Sequence, residues 1–183
     1  MSASQSVDTA EAGDAPLQTF VNAHAGILSQ LSAFGELPAL LEPAARARRI
    51  AAQTLAFFRE AVREHHAEEE RELFPAVLAS AVKGEERDRA QVMVDQLTAE
   101  HRTIEAAWVK LEPELKKVAK GQEAELNVAG VEHLVQRYGA HAQHEETEFL
   151  PFAHQILGRN SNHMAALGLS LHMRHVPPFA SHV

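Results

Sequence analysis

The sequence predicts an all-α protein, built as an up-down bundle of four long helices. Apolar residues recur at i, i+3, i+4 and i+7 through most of the chain, which is the period of a helix with one buried face. No segment shows the strict apolar–polar alternation of a half-buried strand, and the connections between the periodic stretches are short. These observations favour long helices packed side by side around one core.

The first predicted helix covers residues 17–35 and follows a small, polar, flexible lead-in of residues 1–15. Its apolar stripe carries His24 at its centre and ends near Gly35. The members of the stripe are Leu17, Phe20, Val21, Ile27, Leu28 and Leu31. The bundle domain is therefore expected to span residues 16–157.

The second predicted helix starts near Ala44, after a linker that runs from Pro38 to Pro43. An apolar face that includes Leu55, Phe58 and Val62 leads at helical spacing to His65 and Glu69. We expect a bend at Pro75 and an end before Lys83-Gly84, because proline lacks the backbone N–H of a continuous helix.

The third predicted helix begins around Glu85 and frays between Pro113 and Gly121, with His101 on its apolar face. The fourth runs from about Glu125 to Leu157. One side of it carries Val131, Leu134, Tyr138, His141, Glu145 and Phe152. The tail, residues 158–183, is compatible with a short fifth helix from about 162 to 174, and its four histidines have no carboxylate partners at helical spacing.

Composition excludes several classes of function. The chain has 183 residues, 45% of them apolar, and no cysteine, so any metal site must use nitrogen and oxygen donors. A net charge of −8 argues against binding to a nucleic-acid backbone. Neither a signal sequence nor an apolar run long enough to cross a membrane is evident, which predicts a cytoplasmic protein without a membrane partner.

An internal repeat indicates where the function lies. The segments HHAEEERELFP (residues 65–75) and HAQHEETEFLP (residues 141–151) share histidine, glutamate and proline at matched positions. The spacing from His24 to His65 is 41 residues and that from His101 to His141 is 40, so two helix pairs are duplicated.

The repeat predicts a metal site inside the bundle. A histidine and a glutamate four residues apart project from one helix face, and the bundle brings two further histidines to the same level. Buried imidazoles and carboxylates are costly unless they are compensated, and metal coordination is the usual compensation. The predicted ligands are His24, His65, Glu69, His101, His141 and Glu145.

Two competing registers lack this symmetry. His66 with Glu70 has the correct spacing, but its counterpart in the other half is Ala142 with Glu146. The pair of His144 and Glu148 fails in the same way, because position 68 is a glutamate. The histidines and glutamates of these registers, including Glu146, are expected to face solvent or to support the ligands.

These motifs resemble those of the hemerythrin-like, or HHE cation-binding, family. The resemblance rests on the histidine of the first helix, H-x-x-x-E-E-x-x-L-F-P, Glu100-His101 and H-x-x-x-E-E-x-x-F-L-P, and it covers residues 17 to about 157. It implies a centre of two non-heme iron ions, bridged by two carboxylates and completed by histidines, with the same six residues as ligands. Manganese and zinc suit the same donors, and iron enters through the resemblance alone.

One position departs from the oxygen carriers of this family, which have a fifth histidine where this chain has Glu105. Whether Glu105 is a ligand stays open. A set of four histidines and two glutamates is closer to family members associated with repair of damaged iron centres, although those usually carry a cysteine-bearing segment that is missing here.

The leading expectation is a binding protein that binds, senses or stores iron, dioxygen or nitric oxide. The alternative is a redox enzyme acting on peroxide, oxygen or nitric oxide, or a factor for repair of iron centres. No nucleophile, phosphate-binding or dinucleotide motif accompanies the predicted ligands, so the sequence does not decide between binding and catalysis. A third reading, a metal-free helical interaction module, predicts that chelation leaves stability unchanged.

Overall fold

The protein is all-α, as the sequence predicts. The structure is a computed structural model that describes the backbone of residues 10–159 and the side chains of residues 20–159. No strand occurs in this part of the chain. The predicted fifth helix of the tail lies outside the described residues.

Between residues 10 and 159, six α-helices and three π-helical segments follow one another. The α-helices are α1 (Ala10–Phe57), α2 (Arg63–Glu68), α3 (Phe74–Ser80), α4 (Glu85–Ala119), α5 (Val128–His144) and α6 (Leu150–Leu157). The π-helical segments are Phe58–Val62, Glu69–Leu73 and Glu145–Phe149. Each lies between two α-helices without a loop, so that α1 to α3 form one helical run, and α5 and α6 another.

The predicted break between the first two helices is wrong. Helix α1 runs through both Pro38 and Pro43, and it begins at Ala10, before the expected start. The residues between the two prolines, Ala39-Leu40-Leu41-Glu42, are strong helix formers and continue the helix despite the lost N–H groups. From Phe20 to Ala44 every side chain is exposed.

The chain divides within α1 into two units, Met1–Arg46 and Ala47–Val183. In the described part of the second unit, α4 packs along α5, and α3 packs against both α4 and α6. The connections within it are short, and Gly121 ends α4 in the left-handed conformation (φ 68°), where its N–H bonds to the carbonyl of Val118. Asn127 caps α5 by accepting a hydrogen bond from the N–H of Gly130.

Two apolar clusters form the core of the second unit as far as the structure describes it, up to residue 159. One surrounds Leu97 and joins α3, α4 and α6, and the other surrounds Trp108, which stacks on Phe58 with ring centroids 4.0 Å apart. His101 lies on α4 between Leu97 and Ile104, where the first cluster gives way to the second. The polar residues at this level are therefore enclosed by apolar layers on both sides. No helix in the described part of the chain is long and apolar enough to cross a membrane.

Candidate metal centre

Five buried polar residues converge at the level of His101. They come from three helical runs and are each at most 6% exposed, and we call them the buried cluster. Its members are His66, Glu69, His101, His141 and Glu145. Polar side chains that are buried between two apolar layers lose their hydration, and this loss must be compensated by other interactions.

A wide helical turn directs His66 into the cluster. In the π-helical segment Phe58–Val62, the N–H of Arg63 bonds to the carbonyl of Phe58, five residues back. The extra residue in this turn shifts the buried face of the helix by one position. The next buried residue after Val62 is therefore His66 and not His65. His65 is about half exposed, and its Nε2 lies 3.2 Å from Oε1 of Glu69.

The other two π-helical segments begin at the glutamates of the cluster. Glu69 and Glu145 each accept a backbone bond from the residue five positions later, and each segment is followed by a helix with proline in its first turn. Since Pro75 and Pro151 have no N–H to continue the α-helical pattern, the wide turn fits the same motif in both halves. The repeat thus places both carboxylates at equivalent backbone irregularities.

The imidazoles of the cluster lie close to one another. The rings of His66 and His101 stack with centroids 3.9 Å apart and planes 4° apart. His141 meets both edge-on, with centroids 4.8 Å from His101 and 5.5 Å from His66. Three imidazoles from three helical runs therefore present their nitrogen atoms to a common space.

Carboxylates outside the cluster fix the orientation of two of these rings. Nδ1 of His101 lies 2.8 Å from Oε1 of Glu70, and Nδ1 of His141 lies 3.1 Å from Oε2 of Glu100. A histidine that binds metal usually uses its second ring nitrogen in this way. The contacts leave Nε2 of both rings as the inward donor.

The inward atoms lack hydrogen-bond partners. Among the described residues, the buried side-chain nitrogen and oxygen atoms without a partner all belong to the cluster. They are both ring nitrogens of His66, Nε2 of His101 and His141, Oε2 of Glu69 and Oε1 of Glu145. Although Nε2 of His101 lies 3.3 Å from Oε2 of Glu69, the two atoms lack hydrogen-bond geometry.

The spacing of these atoms suits metal coordination. Ligand atoms of Glu69, His101, His141 and Glu145 lie within 4.8 Å of one another, and so do those of the three histidines of the cluster. Nitrogen and oxygen donors at this separation can bind a first-row transition metal. The residues present therefore fit a metal centre on their own geometry.

The protonation states show the cost of the cluster without metal. Burial, together with the neighbouring His101 and His141, lowers the pKa of His66 to about 3. Burial and the adjacent Glu69 carboxylate raise the pKa of Glu145 to about 8. A neutral imidazole and a protonated carboxyl are the forms that best tolerate a site with little water.

The pKa values of the other members of the buried cluster shift according to the groups that they contact. Burial alone would raise the pKa of Glu69 and lower that of His101. Contacts with neighbours outweigh burial in both, so His101 and His65 lower the pKa of Glu69, and Glu69 and Glu70 raise that of His101. Burial lowers the pKa of His141 despite its bond to Glu100. Glu69 is thus the ionised carboxylate of the cluster.

The structure brings together four of the six predicted ligands, Glu69, His101, His141 and Glu145. His65 lies beside Glu69 but is half exposed, and the exposed His24 lies in the first unit of the chain. Both stay predictions as ligands. Oε1 of Glu105 lies 3.7 Å from Nδ1 of His66, and its Oε2 lies 3.4 Å from Nη1 of Arg102.

Sequence reasoning missed the burial of His66. The repeat aligns His65 with His141, but the π-helical turn at Phe58–Val62 occurs before only one of these two histidines. A shift of one residue in one half removes the equivalence that the letters suggest. The supporting roles of Glu70 and Glu100 are easier to find from the sequence, because each residue is adjacent in sequence to a member of the buried cluster.

Comparison with known families agrees with this chemistry. The model of the family described as "Hemerythrin HHE cation binding domain" matches residues 15–153. No curated protein and no solved structure matches the chain.

Proposed function

The chain belongs to the hemerythrin HHE cation-binding domain family, and we propose that its buried cluster holds two iron ions. The observation that carries the proposal is the set of inward-facing nitrogen and oxygen atoms without hydrogen-bond partners. Their unfavourable burial is relieved if they coordinate metal. Cation binding follows from the family, whereas the number and identity of the ions are part of the proposal.

The donor chemistry supports iron but does not select it alone. Imidazole nitrogen and carboxylate oxygen suit iron, manganese and zinc. The resemblance to hemerythrin-like proteins favours iron, and manganese or zinc would use the same residues. Thiolate cannot contribute, because the chain has no cysteine.

We assign roles to the cluster by position. Glu69 and Glu145, which come from the two equivalent halves, would hold the ions together with the histidines, and the resemblance to the family implies that both carboxylates would be shared between the two ions. His101 and His141 supply Nε2, while Glu70 and Glu100 hold the rings in place. His66 is proposed as a third histidine ligand because both of its ring nitrogens are buried without a partner.

We propose that the centre binds, senses or stores iron, dioxygen or nitric oxide. Bound iron would supply coordination positions open to a small diatomic molecule. The second candidate is redox turnover of peroxide, oxygen or nitric oxide, or repair of iron centres, and the buried, water-poor setting of the cluster suits it equally. The sequence motifs offer no separate acid or nucleophile for it.

Elemental analysis of protein purified without added metal tests the metal proposal. We expect about two iron ions per chain after anaerobic reconstitution, and optical bands that change on exposure to air or nitric oxide. Binding that reverses on removal of the gas, without consumption of peroxide or nitric oxide, supports the binding role. Sustained consumption by the iron-loaded protein favours the enzyme, and a metal content near zero contradicts both.

Several sequence expectations stay predictions. They are the diatomic ligand, the cytoplasmic location and the lack of nucleic-acid and membrane partners.

A further inference from the structure

Arg102 joins two carboxylates that approach the buried cluster from outside. It is an exposed residue of α4, next to His101 in the sequence. Nη2 of its guanidinium donates a hydrogen bond to Oε2 of Glu70. Nη1 donates to Oε2 of Glu105 at a distance of 3.4 Å. Because the N–H groups of arginine form a rigid, planar fork, one guanidinium can bind both carboxylates at the same time.

Each of these carboxylates directs its second oxygen towards one of the two stacked imidazoles. Oε1 of Glu70 lies 2.8 Å from Nδ1 of His101. Oε1 of Glu105 lies 3.7 Å from Nδ1 of His66, which is too long for a hydrogen bond but close enough for its charge to act on the ring. A continuous series of contacts therefore connects the guanidinium at the surface with both stacked rings.

The contact between Glu70 and His101 has a fixed direction. A glutamate beside a guanidinium is ionised at neutral pH, and an ionised carboxylate only accepts hydrogen bonds. Nδ1 of His101 is therefore the donor, and Nε2 presents its lone pair to the cluster. The more strongly Glu70 attracts the proton on Nδ1, the more electron density the ring offers to a metal at Nε2.

Arg102 limits this attraction. The guanidinium binds the far oxygen of Glu70 and draws electron density away from the oxygen that faces His101. Its positive charge also acts directly on the cluster, where partly buried surroundings screen charge less than water does. Both effects make the cluster less favourable for additional positive charge.

The support of His141 is built differently. Glu100, which contacts Nδ1 of His141, also accepts a hydrogen bond from the amide of Gln96 and lies 3.2 Å from Nδ1 of His144. No arginine or lysine among the described residues bonds to Glu100. The effect of a guanidinium is therefore concentrated on the stacked pair of rings.

We infer that Arg102 is a positioning residue that raises the reduction potential of iron in the buried cluster, because it binds the two carboxylates behind the imidazoles of His66 and His101. The inference rests on the proposed function, since it requires iron in the cluster. Ferric iron carries one more positive charge than ferrous iron, so a nearby cation disfavours the ferric state. Arg102 therefore helps to keep bound iron reduced.

Redox titration of the iron-loaded protein under anaerobic conditions tests the inference. Arg102→Gln removes the positive charge and keeps a polar side chain at an exposed position. We expect the ratio of ferric to ferrous iron at a fixed potential to rise about tenfold, the lower end of the effects of residues behind a metal ligand. This ratio corresponds to a fall of about 59 mV in the potential of a one-electron couple.

Glu70→Gln separates the effect of charge from an effect on structure. This variant removes the anion behind His101, so its reduction potential should rise. If Arg102 only held Glu70 in place, loss of Arg102 would resemble loss of Glu70, and the potential of Arg102→Gln would rise as well. A rise or no change in Arg102→Gln, or loss of its iron, therefore overturns the inference.

Arg159→Gln is the matched control. Arg159 donates hydrogen bonds of 2.9 and 2.8 Å to the two carboxylate oxygens of Glu86, near the start of α4. Glu86 precedes His101 by 15 positions, about 22 Å along a helix. At that distance salt screens an exposed charge, so the potential should be unchanged.

Two further results of these measurements have a fixed meaning. An equal fall in potential in Arg159→Gln would reflect the total charge of the protein and would overturn the inference. Absence of iron from the unaltered protein would contradict the proposed function, whereas normal iron content without a fall in Arg102→Gln contradicts the inference alone.

Discussion

The imidazole rings of His66 and His101 lie face to face, with centroids 3.9 Å apart and planes inclined by 4°. Two stacked imidazoles at this distance cannot both be in the positively charged imidazolium form without strong repulsion. The attraction of Glu69 and Glu70 raises the pKa of His101, while burial beside His101 and His141 lowers that of His66. His66 is therefore the neutral partner of the stack, with nitrogens ready to bind metal.

Removal of the His66 imidazole should weaken metal binding more than removal of that of His65. His66→Ala deletes two buried nitrogens without partners, whereas the His65 ring is half exposed. Isothermal titration with ferrous iron under anaerobic conditions, or with zinc as a redox-inert probe, compares the two variants. A greater loss for His65→Ala would restore the register predicted by the sequence repeat.

The glutamates that bond to ring nitrogens should tune the affinity without removing the site. Glu70→Gln and Glu100→Gln weaken the contacts to Nδ1 of His101 and His141, and a loss of about 10- to 100-fold in metal affinity is expected for each. The matched control is Glu146→Gln, because Glu146 is exposed next to the cluster. If all three variants bind alike, the ring contacts have no role in the site.

Loss of the carboxylate of Glu69 or of Glu145 should change the number of metal ions bound per chain. Glu69→Ala and Glu145→Ala each remove a proposed bridge, so at most one ion per chain should remain. Elemental analysis after reconstitution measures the count, with His65→Ala as a comparison that leaves both carboxylates in place. Two ions bound by both glutamate variants would contradict bridging.

Metal uptake should release protons and strengthen as the pH rises towards 8. The pKa of Glu145 is about 8 without metal, so near neutral pH its carboxyl must lose a proton before it can bind. Proton release in weakly buffered solution, and the dissociation constant between pH 6.5 and 8, provide the measurement. Glu145→Gln should reduce the pH dependence in this range, to which His101 also contributes because its pKa is raised. An unchanged profile would assign the proton to a group other than Glu145.

The stability of the metal-free protein should fall on both sides of a middle pH range. The folded-state pKa of His66 is about 3, below the unfolded value of 6.5, so its protonation in the unfolded chain destabilises the fold as the pH drops below 6.5. Glu145 acts in the opposite direction, since its pKa is raised from 4.5 to about 8 and its contribution is lost as the pH rises through 8. Chemical denaturation from pH 4 to 9 with chelator present measures the curve; a flat curve would contradict both shifts.

Bound metal should stabilise the fold. At free metal about 100 times its dissociation constant, linkage adds about 2.7 kcal/mol to the free energy of unfolding. Denaturation with metal and with chelator at pH 7.5 gives the difference. Equal stability in both would favour the metal-free helical module.

The sequence by itself determined the fold class and most of the cluster. Helical periodicity requires only local spacing, so the all-α class could be predicted without tertiary information. The duplicated motif likewise identified Glu69, His101, His141 and Glu145, because a polar group that recurs inside an apolar stripe marks the same helix level in both halves.

Only the structure decided which histidine of the pair at positions 65 and 66 is buried, and whether the helix is interrupted at Pro38 and Pro43. The first depends on a π-helical turn at Phe58–Val62, where one extra residue per turn alters the helix face beyond it without a distinctive local sequence. The second depends on a balance between two lost backbone hydrogen bonds and the strong helix formers between the prolines. Local spacing records neither outcome, because the first is settled where the buried face of the helix packs on residues distant in sequence, and the second by a small difference between two opposing local contributions.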